Sequence, residues 1–283
     1  YIGGSPTDGT NRLIKVNRGF SGGSTDPKYV GGYYVFQDLH AKLSSGYGFS
    51  TSYPGTKYIN CLSELNAMEG FLFDASRFGA PAPGAKGSSM KSCVARRNNL
   101  KQGTGAGQAI TIEAENVTIE DTESYENAWA GLDFLDYRTS TKTDGGKVIN
   151  CKIHHNGIQP VSLFNFDPNI YIDGGSNITI QNTQVWAAGV DPRGIKTRLR
   201  SNSGIAIDVE GAGFSVGKRP HGIRILNTLS YGNAGPAILI GKINGNQSVV
   251  LSFSDIQIIG STLQRDRGDS EIKNYNNPNV VDV

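Results

Sequence analysis

A single phrase recurs along the 283-residue chain and limits what it can fold into: alternating apolar residues, then Asn or Asp, then a small residue, then a second alternating run about ten positions later. Clear copies are Tyr58-Ile-Asn60-Cys61 leading to Gly70-Phe-Leu-Phe, and Val117-Thr-Ile-Glu-Asp121-Thr122 leading to Gly131-Leu-Asp-Phe. Val148-Ile-Asn150-Cys151 leads to Pro160-Val-Ser-Leu, and Ile223-Arg-Ile-Leu-Asn227-Thr228 leads to Ala237-Ile-Leu-Ile. Weaker copies end at Asp38, Asn182 and Gly260. The seven anchors Asp38, Asn60, Asp121, Asn150, Asn182, Asn227 and Gly260 are spaced by 22, 61, 29, 32, 45 and 33 residues. The shortest interval is about one coil of a solenoid, the 61 hides at least one degenerate coil, and the excess elsewhere is loop.

Asn and Asp suit a sharp bend between strands because they tolerate the left-handed region and bond neighbouring backbone. The residue after each anchor, Cys61, Thr122, Cys151, Thr183, Thr228 or Ser261, would then stack as a ladder of small side chains. Period-two runs such as Phe71-Leu-Phe73, Leu132-Asp-Phe134, Val161-Ser-Leu163, Ile205-Ala-Ile207 and Ile238-Leu-Ile240 bury one face per coil. No coil can bury its apolar residues alone, so neighbours must stack. The expected fold is all-β: a right-handed parallel β-helix, one domain over 1–283 with long loop insertions, showing a polar groove to solvent.

Composition agrees. An apolar fraction of 37%, 37 Gly and 18% charged residues are too apolar for disorder and too Gly-rich for a helical bundle. No run approaches the ~20 apolar residues of a membrane-spanning helix, and Tyr1-Ile2-Gly3-Gly4 lacks the regions of a signal peptide. The net charge of +2 gives no global field for nucleic acid. Cys61, Cys93 and Cys151 have no metal-ligand spacing and read as small buried packing residues. Residues 76–109, 187–203 and 211–222 depart from the phrase and read as insertions, the first wrapped around a degenerate coil. Residues 1–30 lack the phrase and read as a lead-in or cover.

The phrases Ile153-His-His-Asn156-Gly157, Tyr231-Gly-Asn233-Ala-Gly235 and Asp173-Gly-Gly-Ser-Asn177-Ile-Thr-Ile180 resemble the pectate-lyase-like superfamily of right-handed parallel β-helices, over roughly residues 33–275. That superfamily includes polysaccharide lyases, glycoside hydrolases, uronate epimerases and phage tailspike depolymerases, so the resemblance implies a polysaccharide partner. The hallmark sets of polygalacturonases and of alginate epimerases are absent as groups.

Outward positions of the second strand of each coil are expected to form a row: Asp74, Asp133 and Asp136, Asn165 and Asp167, Asp208 and Glu210, Lys242, Lys273. Like charges on neighbouring coils need an offset. Ca²⁺ on Asp136, Asp167, Asp208 and Glu210 is one; basic insertions folding over the groove are another. Between 191 and 224 the chain carries Arg193, Lys196, Arg198, Arg200, Lys218, Arg219 and Arg224 against Asp191, Asp208 and Glu210.

For β-elimination from a uronate, Lys196, Arg198 or Lys242 would act as base or carboxylate clamp, with Asp136 and Asp208 in the catalytic set. Substrate-binding candidates are Asp133, Asn165, Trp186, Arg193, Arg200, Lys218, Arg219 and His221. The leading expectation is therefore a secreted or surface protein that binds and cleaves an anionic polysaccharide, monomeric or assembled as a trimer or filament, with no nucleic-acid or membrane partner. The alternatives are a non-catalytic β-helix of a virion spike, adhesin or filament, and an inverting glycoside hydrolase in which Asp136 and Asp208, two coils apart, form the carboxylate pair.

Overall fold

The computed structural model describes residues 18–22, 34–75, 84–100, 108–136, 142–158, 168–195, 202–209, 217–241, 254–264 and 272–275. Every ladder between its strands is parallel, and they form three sheets of nine, eight and eight strands among the described residues. Neighbours within a sheet are three strands apart in the chain, so the chain visits the three sheets in turn and then returns one layer higher. We call the nine-stranded sheet A, which runs from Arg18–Gly22 to Ile272–Tyr275. Sheet B runs from Val35–Gln37 to Ser254–Ile259, and sheet C from His40–Lys42 to Thr262–Leu263. Arg18–Gly22 lies in the segment without the repeat phrase, yet it pairs with Tyr47–Thr51 as the outermost strand of sheet A.

The bend from sheet B to sheet C is two residues in every coil: Asp38-Leu39, Asn60-Cys61, Ser92-Cys93, Asp121-Thr122, Asn150-Cys151, Asn182-Thr183, Asn227-Thr228 and Gly260-Ser261. The first residue of each pair has φ between 48° and 61°, the left-handed conformation that Asn, Asp and Gly adopt at least cost. Ser92 is the anchor hidden in the long interval, unseen because serine is neither Asn, Asp nor Gly.

The second bend residue turns inward and builds the expected ladder. The amide of Cys61 donates to Sγ of Cys93 at 3.3 Å, that of Cys93 to Oγ1 of Thr122 at 3.3 Å, and that of Cys151 to Oγ1 of Thr183 at 3.4 Å. Each side chain also donates to the carbonyl two residues back, as Thr122 does to Glu120 at 2.9 Å. Amides that turn away from the strand ladders thus find buried partners, which a solenoid corner requires.

A second ladder, of asparagines, lines the exit from sheet C. Nδ2 of Asn66 donates to Oδ1 of Asn98 at 3.0 Å, Asn98 to Asn127 at 3.2 Å, Asn127 to Asn156 at 2.8 Å and Asn156 to Asn169 at 2.9 Å. The next coil carries Ala188 at the equivalent place, and Asn169 closes the run by donating to the carbonyl of Trp186 at 2.7 Å. All five asparagines are buried.

The interior is filled from sheets A and B. Phe49, Phe71, Ile110, Leu132, Ile170, Ile205 and Ile238 form one inward column of sheet A, and Tyr58, Met90, Ile119, Val148, Ile180 and Ile225 face them from sheet B. Sheet C contributes Ala41, Ser63, Ala95, Ser124 and Ser230, with Ile153 and Val185 in the same inward column. Aromatic rings are concentrated in the N-terminal coils, where Phe49 stacks on Phe71 at 4.8 Å, Phe134 fills a middle coil, and Ile and Val line the interior beyond it.

Since the B-to-C bend never varies, all variation in length falls in the connections at the two edges of sheet A. Strands Ser89–Lys91 and Val94–Arg96 lie inside 76–109 as a complete part of a coil, so that region is two separate connections around them. Sheet A is therefore the face on which the chain's elaborations converge.

Candidate functional site

Register places two outward columns on sheet A. One runs Ser50, Leu72, Thr111, Asp133, Tyr171, Ala206, Leu239. The other follows two residues later in each strand: Leu135, Asp173 and Asp208 are register partners, and Asp74 and Glu113 extend the same column downward. Five carboxyl groups thus share one face. The row is not solvent-facing as expected: Asp133 and Asp173 are 0% exposed, Asp208 3% and Asp74 8%. Asp133 accepts a hydrogen bond from Nε2 of Gln108 at 2.8 Å.

Asp136 departs from the expected row. Period two from Asp133 leads to Leu135, so Asp136 sits one step past the strand, where its amide donates to the carbonyl of Asp173 at 2.7 Å. Its side chain, 7% exposed, pairs with Nζ of Lys218 at 2.7 Å. Lys218 comes from the basic insertion, which reaches the edge of sheet A as one of the two anticipated offsets. Gly174, φ +79°, makes room for this: a Cβ there would meet the Asp136 carbonyl at 2.7 Å and Cβ of Lys218 at 3.2 Å.

The expected Asp136–Asp208 pair does not share a column, and the carboxyl one strand from Asp208 is Asp173. Asp173 is absent from the row expected from the sequence, where its phrase carries only the family resemblance. The strand Ile170–Asp173 ends on it, and its register with Ile205–Asp208 was the signal that could have found it.

Of the other candidates, Arg193 bonds Asp191 two residues away at 2.6 Å in an exposed turn. Desolvation raises the Asp191 carboxyl, and the Arg193 hydrogen bonds outweigh it, leaving the group below its ordinary value. His221 begins a strand of sheet B, where Nδ1 lies 3.0 Å from Oγ of Ser176 and 3.0 Å from the Arg219 carbonyl. Arg219 is thereby tied to the same corner through its backbone.

Trp186 lies on sheet C, away from the carboxylates. Its ring stacks on His154 at 4.0 Å and Tyr231 at 5.9 Å, and His154 stacks on Tyr125 at 5.1 Å. The four nearly parallel rings cover one another's faces. Nδ1 of His154 and Nδ1 of His155 are 2.7 Å apart, and Nε2 of His154 faces Glu123 at 3.1 Å. Burial pushes both imidazoles below their ordinary value. Further along the same face Glu64 is clamped by Lys42 at 2.7 Å and Arg96 at 2.8 Å. Burial would raise its carboxyl, but those two ion pairs hold it down at about 2.

Lys196, Arg198, Arg200, Lys242, Asn165, Asp167 and Glu210 lie outside the described residues, as does the side chain of Lys273. Of the four residues expected to hold Ca²⁺, Asp136 is neutralised by Lys218 and Asp208 stands beside Asp173. Among the described residues no three His, Cys, Asp or Glu groups are arranged to hold a metal ion.

No protein-family model matches the chain, and neither does any curated protein sequence. Solved structures do. The A-module of the Azotobacter vinelandii mannuronan C-5 epimerase AlgE4 is similar over 88% of this chain and 58% of its own, at 14% identity and a TM-score of 0.55. The A-module of the AlgE6 epimerase from the same organism is similar over 88% and 65%, at 13% identity and a TM-score of 0.52. This chain therefore spans about three fifths of the length of these modules. Identities this low establish architecture alone, and parallel crossovers are right-handed in about 98% of cases. Three parallel sheets visited in turn, and the likeness to these modules, make the chain a right-handed parallel β-helix.

Proposed function

We propose that this chain is a carbohydrate-active β-helix that binds an anionic polysaccharide across sheet A and cleaves it by β-elimination. The observation that carries the reading is the setting of the strand Ile205–Asp208. It ends in a buried carboxyl beside that of Asp173, and the connections at both of its ends are the cationic ones. Arg193, Lys196, Arg198 and Arg200 precede it, and Lys218 and Arg219 follow it. Cationic connections on both sides of a strand that ends in a carboxyl are suited to a polymer whose own carboxylates meet those cations.

The chemistry needs a cation to neutralise the uronate carboxylate, a base to take the proton on the carbon next to it, and an acid for the leaving oxygen. Lys218, ion-paired with Asp136, is a described cation beside the end of the strand Ile170–Asp173. Asp173 and Asp208, one strand apart at roughly 4.8 Å, can hold one proton between them, so that one accepts while the other donates. The electron pair of the broken C–H bond becomes the C4=C5 double bond, and the glycosidic oxygen leaves with a proton. The similar epimerase modules are named for a reaction at C-5 of mannuronan, the carbon next to the uronate carboxylate. Ca²⁺ belongs to the proposal only as an ion that would help neutralise the uronate carboxylate, and the protein would work outside the cytoplasm, where such polymers are.

The test is incubation with polymannuronate, polyguluronate and polygalacturonate, with added Ca²⁺ or with a chelator, following the absorbance of the unsaturated product. Expected is product on at least one polymer and its loss in Asp208→Asn. New reducing ends without unsaturation would replace β-elimination by hydrolysis. Neither turnover nor binding on any polyuronate would overturn the reading in favour of a non-catalytic spike or adhesin.

A further inference from the structure

The ladder at the B-to-C bend contains a reactive pair that the proposed reaction does not use. Ile59 is in register with Lys91 and Leu62 with Val94, so Cys61 and Cys93 hold the same place in adjacent coils. Neighbouring strands are about 4.8 Å apart, inside the Cα separation of roughly 4.4–6.8 Å that a disulfide spans. Both side chains turn into the ladder, where Sγ of Cys93 leans to within 3.3 Å of the Cys61 amide. We propose that Cys61 and Cys93 close a cross-coil disulfide when the chain folds in an oxidising medium, and that Cys151 remains a thiol.

Two further observations support the pairing. In the stacked coils the two thiols lie close enough to act on each other, which draws the Cys61 thiol down while Cys93 is pushed up. Cys151 has no such partner: its ladder neighbours are Thr122 below and Thr183 above. Burial raises its thiol to about 12, which leaves it inert.

The oxidant is a small-molecule disulfide such as oxidised glutathione. The Cys61 thiolate attacks one sulfur of it and releases one small thiol. The Cys93 thiol then attacks the Cys61 sulfur of the mixed disulfide, forming the protein S–S bond and releasing the second small thiol with its proton. Two protein thiols are oxidised and one small disulfide is reduced. Both sulfurs are 2% exposed or less, so exchange takes place before the coils finish stacking.

The experiment is refolding of the reduced, full-length chain with oxidised glutathione, then thiol titration in denaturant and peptide mapping without reductant. Expected are one titratable thiol per chain, at Cys151, and a Cys61–Cys93 linked peptide. In Cys151→Ser the count falls to zero, and reductant lowers the urea midpoint of the wild type but not of Cys61→Ser. Three thiols, a bond that includes Cys151, stable glutathione adducts, or chains linked to one another would each overturn the proposal. The wild-type titration decides the matter even where a variant does not fold.

Discussion

Asn127→Ala tests the asparagine ladder. Asn127 is fully buried, and Oδ1 accepts from the amide of Asn98 at 2.9 Å and from its Nδ2 at 3.2 Å. Nδ2 lies near the carbonyls of Ala95 at 3.1 Å and Tyr125 at 3.0 Å and Oδ1 of Asn156 at 2.8 Å. After truncation Nδ2 of Asn98 keeps the Ser63 carbonyl at 3.2 Å, and Oδ1 of Asn156 keeps the Asn127 amide at 3.2 Å. The Asn98 amide loses its acceptor, at about 1–3 kcal/mol for a buried orphan, and the lost volume adds about 1 kcal/mol. The expected cost is therefore about 2–4 kcal/mol. Asn127→Asp keeps the shape and the acceptor but turns the donor edge into an oxygen facing three acceptors. At neutral pH it should cost at least as much as the alanine. A carboxyl so placed binds its proton more tightly folded than unfolded, so the deficit should shrink between pH 7 and 5. Urea unfolding measures both, with Gln184→Ala at an exposed strand position as the control at under about 0.5 kcal/mol and hydrogen exchange at the Asn98 amide as the local readout. A cost under about 1 kcal/mol for Asn127→Ala, or an Asn127→Asp milder than it, would refute the ladder's structural role.

Glu64, held at about 2 by Lys42 and Arg96, contributes stability that is complete above its ordinary value near 4.5 and lost as pH falls toward 2; the contribution is at most about 3 kcal/mol. Acid unfolding of Glu64→Gln should lack that slope, and an unchanged profile counts against the ion pairs. Gly131→Ala should destabilise by about 1–3 kcal/mol in a thermal melt, since a Cβ there meets Nδ2 of Asn156 at 2.4 Å and the Asn169 carbonyl at 2.8 Å. Lys218→Met leaves buried Asp136 without its cation and should cost more than the double variant with Asp136→Asn; equal urea midpoints would mean the pair does not couple. Trp186 fluorescence, reporting on stacked His154, should change with a midpoint below 6.5, because burial resists imidazole protonation; a midpoint at or above that value contradicts the packing.

The solenoid was legible in the sequence because a two-residue bend admits few residue types: Asn60, Asp121, Asn150, Asn182 and Asn227 announce it by tolerating positive φ, and Ser92 hid because its backbone does the same without the signature. The small ladder at Cys61, Thr122 and Cys151 was readable for the same local reason. Sequence patterning also placed Asp74, Asp133 and Asp208 on the outward side of sheet A. Register was beyond it. Whether Asp208 has Asp136 or Asp173 for a neighbour depends on how strands more than thirty residues apart align, and a slip of one residue sends a side chain to the opposite face. The asparagine ladder, the closure of Trp186 into a stack on sheet C, and the burial of the carboxylates likewise arise only when coils stack. A side chain's environment in a β-helix is supplied by the layers above and below it, and the chain reaches those layers only after a full turn.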